Sequence, residues 1–295
     1  MGRLEEKVAI VTGAGSGVGR EHALLLASEG AKIIVNDLGD SADDTTAQII
    51  SEGGEALSVK ANVAEWSTGD TLVDAAVSTF GDLHILINNA GILRDAMSFS
   101  MNEAQFDEVI AVHLKGHFVC ARAAGEYWRA QAKSGDETQR RIIHTSSESG
   151  LFGGPAQANY ASAKGGILTL SITLGRELTK YGVTTNVVAP RARTALTDYI
   201  QSMAAPENPD EFDVYDPANV SPFVVWLCTD EAQGINGQAF IVGGSGIWWM
   251  RNWSHQGSVK LDGEKFTLEV IDANRDALFG DGDTSLPKFE APPFS

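Results

Sequence analysis

Residues 8–19, VAIVTGAGSGVG, place a short β-branched run, Val8 to Val11, directly before a glycine-rich turn, and a helical stretch from Arg20 to Glu29 follows. The glycines at 13, 17 and 19 read GxxxGxG, not the GxGxxG dinucleotide fingerprint in register. The physics is common to both. Glycines permit a tight turn and close backbone approach, and a helix N-terminus offers unpaired N–H groups and a positive dipole to a pyrophosphate. A glycine-rich turn can also be purely structural; its place after a buried strand and before a helix is what favours phosphate. Gly13, Ser16, Gly17, Val18 and Gly19 are therefore candidate cofactor contacts.

Outward from this turn, strand and helix signals alternate. Strands are expected at Ile33–Asn36, Leu57–Lys60, Ile85–Ile87, Arg141–Thr145, Thr185–Val188 and Gln238–Val242. Helices are expected at Thr45–Ser51, Thr68–Thr79, Asn159–Tyr181 and Val220–Cys228, with one long helix near Glu103–Ala132. Apolar runs without alternation, spaced by helices, imply a parallel sheet covered on both faces. Right-handed crossovers then give a doubly wound α/β Rossmann fold with seven parallel strands, residues 1–250, and a C-terminal extension, 251–295. A loop at about 191–218 contains Asp198–Asp216, with six acidic residues and no basic one, and reads as a mobile segment on the substrate side.

Composition removes other classes. The 295 residues carry 39 acidic and 22 basic side chains, a formal charge of −17, which argues against duplex nucleic acid. No apolar run reaches the ~18–20 residues of a membrane span, and MGRLEEKVAI lacks the layout of a signal peptide. Cys120 and Cys228 stand far apart, as expected of reduced thiols in a cytoplasmic protein. His113 and His117 are four apart with no accompanying Glu and no third ligand, so no metal is expected.

Asp37 ends the second strand, 24 residues after Gly13. A carboxylate there accepts both adenosine ribose hydroxyls and repels a 2′-phosphate, and Ser16 and Leu38 stand where a phosphate site wants Arg or Lys. That favours NAD over NADP. Tyr160 and Lys164 form YxxxK on one helix face, so the ammonium can sit beside the phenol and favour phenolate. Ser147, thirteen residues before the tyrosine, follows a strand end, where ligands of a parallel sheet bind. Its hydroxyl can hold and polarise a carbonyl. The esterase elbow GxSxG is absent.

Together, TGAGSGVG, the NNAG of 88–91, Ser147 and YASAK resemble the short-chain dehydrogenase/reductase family over about residues 5–250. The resemblance implies hydride transfer between a nicotinamide dinucleotide and a carbonyl or alcohol. By position, Tyr160 is the acid/base, Ser147 orients the substrate oxygen, and Lys164 binds nicotinamide-ribose hydroxyls. It also implies that Asn62, Val63, Asn89, Ala90 and Gly91 line the adenosine side, with Pro190 and Thr194 as further cofactor contacts. VNDLG, NNAGILRD, VHLKGHF, AQANYASAK and VVWLC narrow the likeness to (3R)-hydroxyacyl-CoA dehydrogenase domains of the peroxisomal multifunctional enzyme type 2 group and bacterial relatives. That group implies NAD and an acyl-CoA or steroid-derived substrate of lipid metabolism. The family pairs its equivalent long helices between subunits, which implies a homodimer or homotetramer.

Two positions depart from the pattern. His113 replaces the family's helical Asn, as a relay member or a packed histidine. Pro190-Arg191 replaces Pro-Gly, with Arg193 close by, and these arginines either contact CoA or NAD phosphates or pair with the acidic loop. The competing functions are an NADPH-dependent 3-oxoacyl carrier-protein reductase and a non-catalytic NAD-binding protein. Trp248, Trp249 and Trp253 cluster where the tail begins, so the tail is expected to pack on the core or a neighbouring subunit.

Overall fold

The computed structural model describes residues 2–197, 201–208, 210–251, 253, 257–263, 265–280, 282, 285 and 289. Its first strand, β1 (Val8–Thr12), runs into α1 (Gly17–Ser28), so the helix begins inside the glycine-rich turn, three residues before the expected start. Then follow β2 (Lys32–Asp37), α2 (Ser41–Ser51), β3 (Ala56–Lys60), α3 (Thr68–Phe80) and β4 (Ile85–Asn88). The second half contains α4 (Glu103–Ile110), α5 (Gly116–Lys133), β5 (Arg140–Thr145), α6 (Glu148–Phe152), α7 (Ala158–Leu178), β6 (Val183–Arg191), α8 (Ser221–Leu227), β7 (Ala239–Gly243) and β8 (Gly246–Met250). Two short helices of the tail, α9 (Leu268–Ala273) and α10 (Arg275–Phe279), come last.

The strands lie in the order β3-β2-β1-β4-β5-β6-β7-β8. The first seven in sequence are parallel, as expected. The expected seven-stranded sheet has an eighth member, because Gly244 and Ser245 turn the chain and β8 returns antiparallel to β7, Gly243 opposite Gly246. Gly244 has φ +52°, the conformation a two-residue hairpin turn uses. Trp248 and Trp249, just ahead of the extension, thus belong to an edge strand.

Alternation within each strand builds two cores. Ala9, Val11, Ile33, Val35 and Ile87 face α1 and α8, whereas Val8, Ile10, Ile34, Leu86 and Ile142 face α3, α5 and α7. Strand order reverses between β1 and β4, so a crevice opens there at the carboxyl ends of the strands.

Three local expectations change. The helix expected over 103–132 is interrupted by a π-helical turn, Ala111–Lys115, whose extra residue reorients His113 relative to a regular helix. The helix α6, directly after Ser147, had no signal in the sequence. In the acidic loop, Asp198–Ile200 and Pro209 lie outside the described residues, but its far end is tied down: Arg193 N–H donates to Tyr215 O at 2.7 Å and its guanidinium pairs with Asp213. Arg193 thus pairs with the loop, whereas Arg191 pairs with Glu148, outside it. Trp249 of β8 and Trp253 of the tail are 63% and 98% exposed on the single chain, while Phe289 meets Phe152 of α6 edge-on at 5.7 Å.

Candidate active site

One cleft at the strand carboxyl ends brings together nearly all the residues singled out in the sequence. Its walls carry Gly13, Ser16, Gly17 and Val18 from the turn, Asp37 and Leu38 after β2, Asn62 and Val63 after β3, and Asn89–Gly91 after β4. Ser147, Tyr160, Lys164, His113, Pro190 and Thr194 complete it. Gly19 is not in the wall. It stands behind the turn, where a Cβ would lie 2.1 Å from Gly13 O.

The glycine turn is fastened from below. Gly13 has φ +63°, and a Cβ there would meet Ala90 Cα at 2.7 Å, so only glycine admits the approach of β4. Thr12 Oγ1, which the sequence reading passed over, accepts N–H bonds from Asn89 (2.9 Å) and Ala90 (3.2 Å). Asn89 Nδ2 in turn donates to Thr12 O and Gly13 O. Asp37 accepts from Gly15 N–H at 2.9 Å and from Leu38 N–H at 2.7 Å, which fixes its carboxylate at the rim of the turn. Lys60, at the end of β3, is held by Asp40 and Asp43, both at 2.6 Å. An open turn of backbone N–H groups beside a fixed carboxylate fits a dinucleotide's pyrophosphate and ribose.

On the other side, Ser147 caps α6, its Oγ accepting from Ser149 N–H at 3.2 Å. Tyr160 and Lys164 lie one turn apart on α7, with the Lys164 ammonium 5.6 Å from the phenol centroid. Lys164 is buried and donates to Thr145 O at 2.7 Å; burial pulls its pKa down to about 7. The start of α7 is anchored by Asn159, whose Nδ2 donates to Arg94 O and Gln105 O. This residue precedes Tyr160 directly, and that adjacency was the one available signal for it. Ser146, next to Ser147, donates to Lys164 O at 2.8 Å and joins β5 to α7.

His113 lies edge-on to the Tyr160 ring, centroids 5.1 Å apart and planes at 88°. Its Nε2 is 2.8 Å from Ile92 O and 3.0 Å from Ile92 N, and its Nδ1 has no partner among the described residues. Gly91 makes the room: a Cβ there would lie 2.4 Å from His113 Cε1. Behind it, His117 and His144 stack at 5.3 Å. Burial first, and the Lys164 charge second, hold His113 and His117 well below the usual imidazole value and His144 at about 3.

Residues 7–207 match the short chain dehydrogenase family. The chain belongs to that family. It is 43% identical to the hydroxyacyl-CoA dehydrogenase ChsB1 of Mycobacterium tuberculosis, over 82% of this chain and 78% of the relative. It is 36% identical to mouse peroxisomal multifunctional enzyme type 2 over 97% of this chain, which spans only 38% of that longer protein. A 3-oxoacyl-[acyl-carrier-protein] reductase of Synechocystis is 38% identical, over 83% of this chain and 98% of its own. Among solved structures, a short chain dehydrogenase from Mycobacterium avium superposes with a TM-score of 0.87 at 41% identity, covering 98% of this chain and all of the other. The protein is accordingly an oxidoreductase of CH–OH groups that uses a nicotinamide dinucleotide. Among the described residues no helix is long and apolar enough to cross a membrane, and no cluster of side chains could hold a metal.

Proposed function

We propose that the protein is an NAD-dependent dehydrogenase that interconverts the secondary alcohol of a 3-hydroxyacyl-CoA, fatty acyl or steroid-derived, with its ketone. The observation that carries the reading is the meeting of Ser147, Tyr160 and Lys164 beside the glycine turn in one cleft. The relatives named as a hydroxyacyl-CoA dehydrogenase and a multifunctional enzyme support the CoA ester. The reductase relative keeps 3-oxoacyl carrier protein as the rival substrate. Asp37 argues for NAD, and so does Lys60: the nearby ammonium that could meet a 2′-phosphate is already committed to Asp40 and Asp43. The compartment that suits two buried thiols is the cytoplasm, and the assembly is a homodimer or homotetramer.

When bound, the oxidised nicotinamide supplies the hydride acceptor. Ser147 Oγ holds the substrate oxygen and Tyr160 Oη takes its proton as the carbonyl forms. The Lys164 ammonium beside the ring favours the phenolate. His113, neutral and with Nδ1 open, passes the proton onward by exchanging tautomers through water. Thr194 and Pro190 close the nicotinamide end of the cleft, and Gly13, Ser16, Gly17 and Val18 hold the pyrophosphate.

A screen of NAD and NADP reduction over medium-chain, long-chain and steroid-side-chain hydroxyacyl-CoAs, with free hydroxysteroids and a 3-hydroxyacyl carrier-protein thioester alongside, tests the substrate class. Activity confined to free steroids, or to NADP and carrier-protein thioesters, refutes it. With the best substrate, Tyr160→Phe is expected to lower kcat by about 10²-fold or more while the NAD dissociation constant stays within about twofold. Intact turnover in that variant would overturn the mechanism.

A further inference from the structure

The end of β6 carries an arginine at a place where its charge is buried. Pro190 and Ala192 line the cleft, and Arg191 between them points the other way, 9% exposed. Both its Nε and its Nη2 contact Glu148 Oε1, and the Glu148 side chain is itself only 17% exposed. Glu148 is the first residue of α6 and directly follows Ser147. The same short helix takes its N-terminal bonds from Ser147: Ser149 N–H donates to the Oγ, and Gly150 and Leu151 N–H donate to the carbonyl at 2.9 and 3.3 Å. Whatever locates this turn therefore locates the Ser147 hydroxyl.

The guanidinium has a roof. The Trp248 ring of β8 lies 5.1 Å from Arg191 Cζ, within cation–π range. It gets there over a lane of glycines. Arg191 pairs with Gly243, where a Cβ would lie 2.5 Å from Arg191 Cβ, and Gly243 pairs with Gly246. A Cβ on Gly246 would stand 2.2 Å from Trp248 Cη2. The indole thus lies across the space that two side chains would otherwise fill. Three separate elements, the end of β6, the start of α6 and the edge strand β8, meet at one buried ion pair under one ring.

We infer that Arg191, Glu148 and Trp248 form a positioning clamp that holds the Ser147 turn, and so the substrate-orienting hydroxyl, against the end of β6. The clamp ties the C-terminal strand to the reaction centre without touching the reacting atoms. It rests on the dehydrogenase reading above for its catalytic consequence, but not for its geometry. A buried pair that loses one charge leaves the other uncompensated, whereas a pair of neutral amides can still bond to each other. Single neutral substitutions therefore release the turn more than the double one.

Hydrogen exchange resolved by peptide, run beside steady-state kinetics on the full chain, tests this. In Arg191→Gln and Glu148→Gln the amides of 149–151 are expected to exchange about tenfold faster, those of β1–β4 at wild-type rates. In both, kcat falls about fivefold or more and the dissociation constant for NAD stays within about twofold. The double variant recovers at least half of both losses on a logarithmic scale. Trp248→Leu, a change at a half-buried edge that leaves the ion pair chemically intact, also speeds exchange at 149–151. Unchanged exchange at 149–151 in Arg191→Gln overturns the clamp, as does faster exchange with kcat unaltered. Wild-type exchange rates in Trp248→Leu overturn its extension to β8. If the wild-type chain turns over no hydroxyacyl-CoA or steroid, the proposed function fails, and the exchange rates still decide the clamp.

Discussion

A carboxylate at the end of a second strand can be an idle surface charge, and Asp37 is not. Both its oxygens accept backbone N–H groups, one from the glycine turn and one from Leu38, so its place at the rim of the turn is set before any ligand arrives. Asp37→Ala is expected to lower kcat/KM for NAD by roughly 10-fold to 100-fold, the equivalent of losing one or two hydrogen bonds to a charged acceptor. NADP turnover is expected to rise relative to NAD, though not to equal a true NADP enzyme, because Lys60 stays paired with Asp40 and Asp43. Parallel kinetics with the two cofactors check this. An unchanged ratio would remove Asp37 from the discrimination. The residue was legible from its spacing to Gly13 alone. Thr12 was not, because a threonine at a strand end carries no signal until the backbone just after β4 is seen to bond its hydroxyl.

At the scale of elements, the π-helical turn, the first turn of α5 and the end of β5 bury three imidazoles, His113, His117 and His144, and α1 buries a fourth, His22, against Ser221. Burial holds His22 and His144 at about 3 and the other two well below 6.5. Below pH 6.5 the unfolded chain binds protons that the folded chain refuses. Stability therefore falls as the pH drops from about 6.5 toward 3, by up to ~1.4 kcal/mol per pH unit for each such histidine. His144→Phe, which keeps a flat ring, is expected to flatten this slope by about one proton. Urea midpoints between pH 7 and pH 4 measure it, and equal slopes in wild type and variant would refute it. The long helix was legible over 103–132, but its interruption was not. One extra residue in a turn leaves the apolar spacing nearly unchanged while it decides that His113 meets Tyr160.

For the whole molecule, two large apolar side chains of the long-helix region, Phe106 and Phe118, remain uncovered on the single chain. Phe118 is 38% exposed and packs on Trp66, itself 53% exposed, with Arg122 over the indole. Light scattering is expected to give the mass of a dimer or tetramer. Phe118→Glu is expected to shift it toward the monomer with the far-ultraviolet spectrum unchanged. A monomeric wild type would leave that face to another explanation and refute the assembly.

The sequence by itself determined the parallel sheet and the glycine turn, and it singled out Asp37, Ser147, Tyr160 and Lys164, which the fold brings to one cleft. Each of these depends on short-range chemistry: β-branched runs, glycine backbone freedom, or the i, i+4 spacing of one helix face. Only the tertiary structure decided that Gly246–Met250 adds an antiparallel eighth strand and that Gly91 makes room for His113. It also gave Arg191 and Arg193 different carboxylates, Glu148 and Asp213. Those outcomes depend on which distant segments the sheet brings within a few ångströms. A charge has no partner in the sequence; it acquires one when burial makes leaving it unpaired too costly.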